Sequence, residues 1–215
     1  MLPACRPGPI YHEPYKPWLD WIDGMLFGRD GIYMVRSFET GWQQIYYLSY
    51  DGSVLKRLTD GENWRVSLVD VEEGKAVKGF DGSTSKVLFV AERDSRVRSA
   101  LYSVCKGEVR NISDPARHVT SVKVSPDRRH VIASVSNSKT PDQVWIYDLR
   151  KPARSFKVAD MAGETYKAEN YALPEHITMT TKDGLVTCLA GSEMFREEVS
   201  CPRGSLRRAC LSAGQ

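Results

Sequence analysis

The sequence has no apolar run long enough to cross a membrane, for which about 18–20 consecutive residues are needed. Its first residues, Met1-Leu2-Pro3-Ala4-Cys5, also lack the apolar centre of a secretion signal. We therefore expect no membrane segment, and a cytoplasmic location for the chain as written.

Motifs for metals and cofactors are absent as well. The four histidines are scattered, and His12-Glu13 has no second histidine at the spacing of a His-Glu-x-x-His site. No Cys-x-x-Cys pair occurs among the five cysteines, which are Cys5, Cys105, Cys188, Cys201 and Cys210. We expect neither a metal nor a cofactor.

Charge is nearly balanced, with 30 Lys and Arg residues against 27 Asp and Glu, a net charge of +3. No long basic block or stripe stands out, and such a patch is the electrostatic footprint of proteins that bind nucleic acid. The composition therefore gives no support to a nucleic-acid partner.

Short strands separated by tight turns are what the sequence does contain. Between residues 32 and 66, runs of β-branched and aromatic residues are interrupted by Glu39-Thr40-Gly41 and by Asp51-Gly52, and Asp-Gly is a hairpin signal. This pattern predicts strands at 32–37, 44–50 and 54–58, with a fourth near 64–71. Four such antiparallel strands form one blade of a β-propeller. Residues 18–22 form a weaker candidate for a first strand.

Two further units follow the first. Predicted strands lie at 66–71, 86–91, 100–104 and 108–112, and then at 119–124, 130–135, 144–149 and 155–158. Apolar triplets at 33–35, 87–89 and 131–133 recur at intervals of about 45–55 residues, a period typical of propeller blades. A β-sandwich fits the strand spacing but does not explain the repeat. The predicted fold is all-β: a partial propeller of about three four-stranded blades, an open arc, followed by an irregular tail.

Two motifs carry a family resemblance. Residues 36–46 read Arg-Ser-Phe-Glu-Thr-Gly-Trp-Gln-Gln-Ile-Tyr, and residues 58–66 read Leu-Thr-Asp-Gly-Glu-Asn-Trp-Arg-Val. Together they resemble the N-terminal propeller of the dipeptidyl peptidase IV family, within the prolyl oligopeptidase group of serine peptidases. Residues 174–184 are similar to the segment in which such chains leave the propeller for an α/β-hydrolase domain.

The resemblance covers roughly residues 10–184, and with the change of sequence character after residue 184 it divides the chain into four segments. These are an irregular Pro-rich lead-in at 1–17, a partial propeller at 18–173, an exit strand at 174–184 and an unstructured tail at 185–215. The tail is rich in Cys, Arg, Gly and Ser, and we expect it to result from a frameshift near residues 184–186. The alternative is a genuine, divergent tail.

The same resemblance implies a function for the parent enzyme, the removal of X-Pro or X-Ala dipeptides from peptide N-termini, with the propeller gating and orienting the substrate. The family's nucleophile lies in a Gly-x-Ser-x-Gly motif, which this sequence lacks. We therefore expect the chain to be inactive alone, with no catalytic, substrate-binding, cofactor-binding or metal residues. Peptide substrates are expected only through the parent's catalytic domain. The alternative function is an independent protein-interaction propeller.

Several charged residues are candidates that we set aside. The family grips a substrate's amino group with two glutamates, but neither Glu72-Glu73 nor Glu197-Glu198 fits that pair. Glu72 and Glu73 end a predicted strand and are expected to face solvent, as are Arg96 and Arg98 on a turn. An open arc leaves strand edges and apolar faces uncovered, so self-association is expected. Asn111-Ile112-Ser113 matches a glycosylation sequon, a triplet that often arises by chance.

Overall fold

The computed structural model describes residues 8–14, 24–75, 77–171, 175–180, 182 and 186–191. The chain divides into two compact units, Met1–Tyr166 and Lys167–Gln215. Within the described residues, no helix has the length and apolar character needed to cross a membrane.

The first unit contains three four-stranded antiparallel sheets, which we call blades 1, 2 and 3. Blade 1 consists of β1 (Leu26–Phe27), β2 (Gly31–Arg36), β3 (Gln44–Ser49) and β4 (Leu55–Arg57). Blade 2 consists of β5 (Arg65–Glu72), β6 (Lys86–Glu92), β7 (Ala100–Cys105) and β8 (Glu108–Asn111). Blade 3 consists of β9 (His118–Val124), β10 (His130–Asn137), β11 (Thr140–Asp148) and β12 (Phe156–Asp160).

The strands of each blade lie side by side in chain order, and the described residues form no closed barrel. The described part of the chain has no α-helix, only two 3₁₀ turns at Pro152–Arg154 and Ala168–Asn170. The predicted all-β partial propeller of three blades is therefore confirmed.

Blade 1 differs from the prediction in its strand membership. Residues 64–71 do not supply its fourth strand, because Arg65–Glu72 is the first strand of blade 2. The four strands of blade 1 are completed instead by the two-residue β1, which pairs with β2. Gly61, at φ +94°, lies in the connection, and the Trp64 N–H then donates to the Glu92 carbonyl, which directs the chain into blade 2. The candidate strand at 18–22 lies outside the described residues.

The blades are joined by side chains that alternate along each strand. Val87 and Phe89 point from β6 into a core shared with Tyr33 and Tyr47 of blade 1. Leu88, between them, belongs to a second core shared with blade 3. Because successive strand residues face opposite sides of a sheet, blade 2 buries both faces, as a propeller blade does.

The outward faces of the two terminal blades differ. On blade 1, Met34, Tyr46 and Leu48 are buried, and Tyr11 and Phe38 pack against them. On blade 3, Ile132, Phe156 and Val158 are 42%, 55% and 53% exposed. Ile132 and Phe156 both lie opposite Ile146 in the sheet register, so they form one apolar row across three strands.

The second unit contains a hairpin of β13 (Glu175–Thr180) and β14 (Val186–Gly191). The sequence predicts an irregular tail from residue 185, whereas a paired strand occupies its first part. Val186 and Thr187 are β-branched, which favours a strand, and they lie opposite Thr180 and Met179 of β13. Residues 192–215 lie outside the described residues.

Candidate functional site at one end of the blades

One end of the three blades carries a group of polar contacts that connect them. The β2–β3, β4–β5, β6–β7 and β8–β9 connections all lie there, since the strands alternate in direction. β12 runs toward the same end, where Asp160 accepts a hydrogen bond from Gln143 at 2.7 Å. Because the chain leaves blade 3 here, we call this the exit end.

Gln44 is the centre of a buried polar network at the exit end. Its side chain is fully buried, and so is that of Asn63, while Thr59 is 3% exposed. Gln44 Oε1 accepts hydrogen bonds from Thr59 Oγ1 and Asn63 Nδ2, both at 2.8 Å, and Gln44 Nε2 donates to the Gly61 carbonyl at 2.6 Å. Thr59 Oγ1 in turn accepts from the Ile45 N–H at 2.9 Å. Residues 58–66 therefore contain the connection between blades 1 and 2, and hydrogen bonds to Gln44 and Ile45 of β3 hold this connection in place.

The network extends into blade 2 through Arg93. The Arg93 guanidinium donates to Asn63 Oδ1 at 2.8 Å and to the Asp60 carbonyl. Gln43 adds a parallel contact, since its Oε1 accepts from the Val66 N–H at 2.7 Å. These bonds hold the β4–β5 connection to the β6–β7 connection through Arg93, and the β2–β3 connection to β5 through Gln43.

A partly exposed pair of tryptophans lies beside this hydrogen-bonded network. The Trp42 and Trp64 rings meet edge-to-face with centroids 4.7 Å apart, and the Arg96 guanidinium carbon lies 4.2 Å from the Trp64 centroid. Trp64 remains 38% exposed. We call these three residues the Trp–Arg cluster. The prediction that Arg96 is simply solvated is corrected by this cation–π contact, which shields the guanidinium on one side.

Tyr102 holds the loop that carries Arg96. Its hydroxyl donates to Asp94 Oδ2 at 2.9 Å. Burial raises the pKa of Tyr102 to about 12, so the phenol is protonated and remains a donor at neutral pH.

Blade 3 contains a second arrangement of the same kind. Gln143, 5% exposed, accepts from the Trp145 indole N–H at 3.2 Å and from the Arg117 guanidinium. The Arg117 guanidinium carbon lies 5.5 Å from the Trp145 centroid. Neither Gln44 nor Gln143 is among the residues predicted from the sequence. The available signal was a Gln before a β-branched and an aromatic residue, as in Gln44-Ile45-Tyr46 and Gln143-Val144-Trp145.

The glutamates considered from sequence are not part of this end. Glu72 is exposed at the end of β5, whereas Glu73 is partly buried and accepts a hydrogen bond from the Arg29 backbone N–H at 2.8 Å. The expectation that Glu73 only faces solvent is therefore corrected, because it links blades 1 and 2 at the opposite end. Glu197 and Glu198 lie outside the described residues.

Glu13, also set aside from sequence, has a structural partner. It forms an ion pair with the buried Arg36 and accepts a hydrogen bond from the Tyr11 hydroxyl at 3.0 Å. Burial, followed by the Glu13 hydrogen bond, raises the pKa of Tyr11 to about 12. These contacts hold the lead-in segment to blade 1. Across the described ranges, no group of three or more His, Cys, Asp or Glu residues is arranged to hold a metal ion.

Comparisons with known proteins relate this chain to one family. The family described as the dipeptidyl peptidase IV (DPP IV) N-terminal region matches residues 9–142. The crystal structure of Porphyromonas gingivalis dipeptidyl peptidase 4 matches with a TM-score of 0.58 and 18% sequence identity, over 78% of this chain and 23% of that one. At that identity the likeness shows the fold, and the chain spans about a quarter of the length of the solved protein. No curated protein matches.

Proposed function

Since the chain belongs to the family of dipeptidyl peptidase IV N-terminal regions, we propose that it serves a serine-type dipeptidyl peptidase as part of the propeller domain. The parent enzyme would remove X-Pro or X-Ala dipeptides from peptide N-termini. The observation that carries the proposal is the family match over residues 9–142, which begins before blade 1 and reaches into β11 of blade 3.

The exit end is the part of the propeller that we assign to substrate gating and orientation. The chain leaves blade 3 at this end, so a domain that follows the propeller would begin there. Catalysis gains from groups held in a fixed geometry, and the hydrogen bonds of Gln44, Asn63 and Arg93 supply a rigid base for the Trp–Arg cluster. In this proposal the cluster faces the substrate side of the parent enzyme.

The test begins with the coding DNA downstream of the Gly184 codon, read in three frames. We expect one frame to continue with apolar strands and a Gly-x-Ser-x-Gly motif. The protein expressed from that frame should release X-Pro from a peptide with a free N-terminus and spare the N-acetylated peptide. Replacing the motif serine by alanine is the matched control. If no frame contains the motif, the proposal fails.

The Trp–Arg cluster can be tested in the same restored protein. Trp64→Ala should lower kcat/KM about 10-fold or more for X-Pro substrates, because the cluster would no longer orient the peptide. Val97→Ala, on the β6–β7 loop that carries Arg96 and 42% exposed, is the control and should leave the rate unchanged. Equal rates for the two variants would remove the cluster from the proposal.

A second candidate is an independent interaction propeller, favoured by the exposure of Trp64 beside Arg96. Tryptophan and arginine are enriched in the residues that dominate protein–protein binding. The chain itself should then retain a specific protein partner that Trp64→Ala loses. A serine-reactive probe that labels the chain stoichiometrically would contradict both candidates, since each treats the chain alone as non-catalytic.

We also propose a cytoplasmic location for the chain. Asn111 is exposed at the end of β8, so its side chain is accessible to a glycan. Mass spectrometry of the peptide that contains Asn111, from the native source, should show an unmodified asparagine. A glycan there would place the protein in the secretory route instead.

A further inference from the structure

A groove between blades 2 and 3, at the end opposite the exit end, has no role in the proposed function. Its volume is about 510 Å³, within the range of about 300–1,000 Å³ typical of small-molecule sites. Strands β7 and β8 form one wall, and the loop after β11 forms the other. We call it the basic groove, because its charged lining consists of four cations and one carboxylate: Lys86, Lys106, Arg110, Arg150 and Glu108.

The groove is open because the core between these blades changes from apolar to polar along β7. Leu101 is buried against blade 3, with Val131 and Tyr147 in the same cluster. Two and four residues later, on the same face of the strand, Ser103 and Cys105 line the groove instead. Ser103 and Cys105 leave space between blades 2 and 3 at their positions along β7, whereas Leu101 fills the space at the neighbouring position.

Three of the four cations have no ion pair within the part of the chain that the structure describes. Arg110 is neutralised by Glu108, with which it forms two hydrogen bonds of 3.0 and 2.9 Å. Lys86 Nζ reaches only the Leu149 carbonyl, at 3.5 Å, although Glu72 lies opposite Lys86 in the strand register. Beside Arg150, the Asp148 carboxylate accepts from the Arg150 and Lys151 backbone N–H groups.

The corresponding groove between blades 1 and 2 provides a comparison. It has a volume of about 620 Å³, and its charged residues balance, with two cations and two carboxylates: Arg29, Lys78, Asp30 and Asp51. Arg29 is paired with Asp30 at 2.8 Å. The excess of positive charge is therefore a property of the second groove and not of propeller grooves of this chain in general.

We propose that the basic groove binds a small multivalent oxyanion of the phosphate type. Lys86 from β6, Lys106 from the β7–β8 turn and Arg150 from blade 3 would each contact it, so a bound anion would bridge two blades. Cations that have no carboxylate partner are stabilised by such a ligand, and this stabilisation falls as salt screens the charges. The site is independent of any peptidase activity.

Titration calorimetry of the 215-residue chain with sodium tripolyphosphate at low salt tests the proposal. We expect one site with a Kd in the micromolar range, weakened about 10-fold or more at 0.5 M NaCl. Lys106→Asn and Arg150→Gln should each weaken binding about 5-fold or more. Asparagine is chosen at 106 because that residue has φ +54°, which Asn tolerates.

Lys78→Gln, in the balanced groove, is the matched control and should bind as the parent chain does. If it weakens binding as much as Arg150→Gln, or if the groove variants bind unchanged, the proposal is overturned. Comparing sulfate with pyrophosphate at the same concentration distinguishes general anion binding from a preference for phosphate groups. Tighter pyrophosphate binding supports a phosphate-type ligand, whereas equal binding of sulfate and pyrophosphate overturns that assignment.

Cys105 supplies a readout within the groove. Its thiol is partly buried and lies 3.7 Å from the Thr84 carbonyl. Tripolyphosphate should slow alkylation of Cys105 about 3-fold or more, measured by peptide mass spectrometry, with Cys5 in the same sample as the internal reference. Unchanged alkylation of Cys105 at saturating anion would place the anion elsewhere and contradict the proposal.

Discussion

Gln44 shows how one buried polar residue organises the connection between two blades. All of its side-chain hydrogen-bonding atoms are engaged, with Thr59, Asn63 and the Gly61 carbonyl. A buried polar group that loses its hydrogen-bond partner costs the full desolvation penalty of that group. Removing the Gln44 side chain would therefore leave Thr59, Asn63 and the Gly61 carbonyl without this partner.

Gln44→Ala should lower the free energy of unfolding by about 2–4 kcal/mol, because it leaves buried donors and an acceptor unpaired and creates a cavity. Gln43→Ala is the control, as it removes one hydrogen bond to the Val66 N–H and should cost about 1 kcal/mol. Urea denaturation measures both. Equal midpoints for the two variants would contradict a central role for Gln44.

Gly82 and Gly79 allow the effect of a positive φ on stability to be measured separately from the effect of side-chain packing. Both have nearly the same φ, +76° and +77°, but a Cβ at Gly82 would lie 2.5 Å from the Tyr47 ring, whereas one at Gly79 meets nothing within 4 Å. Gly79→Ala should therefore cost about 1 kcal/mol of stability. Gly82→Ala should cost about 3 kcal/mol or more, since Tyr47 is fully buried and cannot move aside. Thermal melts that place the two variants together would refute the packing argument.

At the scale of single elements, the tight turns owe their shape to aspartates bonded to nearby serines. Ser49 Oγ donates to Asp51, Ser83 Oγ to Asp81 and Ser125 Oγ to Asp127, at 2.5–2.6 Å. These hydroxyl bonds are the largest cause of the lowered pKa of each carboxyl, and they bring the pKa of Asp51 to about 2. The folded turns therefore favour the ionised form of these carboxyl groups.

The stabilisation from these carboxylates depends on pH in a defined direction. A lowered folded-state pKa stabilises the fold above the unfolded value of about 4 and loses that effect as pH falls toward 2. The urea midpoint of the chain should drop between pH 4 and pH 2. Asp51→Asn should be less stable than the parent at pH 6 and should lose less between pH 4 and pH 2. A parallel decline of both proteins would contradict the assignment.

Strands and turns were largely predictable, because both signals are local. Runs of apolar and β-branched residues placed the strands of blades 2 and 3 close to their observed bounds, and Asp51-Gly52 marked the β3–β4 turn of blade 1. The two-residue β1 carries no periodicity, so residues 64–71 were assigned to blade 1 as well as to blade 2. The Gln44 network and the Trp–Arg cluster join loops that are distant in sequence. The Gln-Ile-Tyr triplet marks the position of Gln44 but does not identify its partners in other loops.

At the scale of the whole molecule, the outward face of blade 3 is an exposed apolar surface of the first unit. Ile132 and Phe156 form an exposed apolar row, and Val158 extends it. Exposed apolar faces of this kind promote association. We expect the purified chain to self-associate as its concentration rises, as measured by light scattering after size exclusion.

Ile132→Ser with Phe156→Ser should shift the chain toward monomer, because the row loses most of its apolar area. Phe27→Ser is the control, since Phe27 is 66% exposed on blade 1 and away from the row. A parent chain that is monomeric at all concentrations and melts sharply above about 60 °C would behave as a self-sufficient domain and would refute this prediction.

The side-by-side order of the strands affects how the chain folds. Within each of the three sheets, every strand pairs only with its neighbours in sequence. Ring closure between distant segments is therefore not needed to form a blade, and a low mean sequence separation of contacts speeds folding. Each blade can form as soon as its last strand has left the ribosome. Blade 1 would then present the surface on which blade 2 assembles, so that the arc grows in the order in which it is translated.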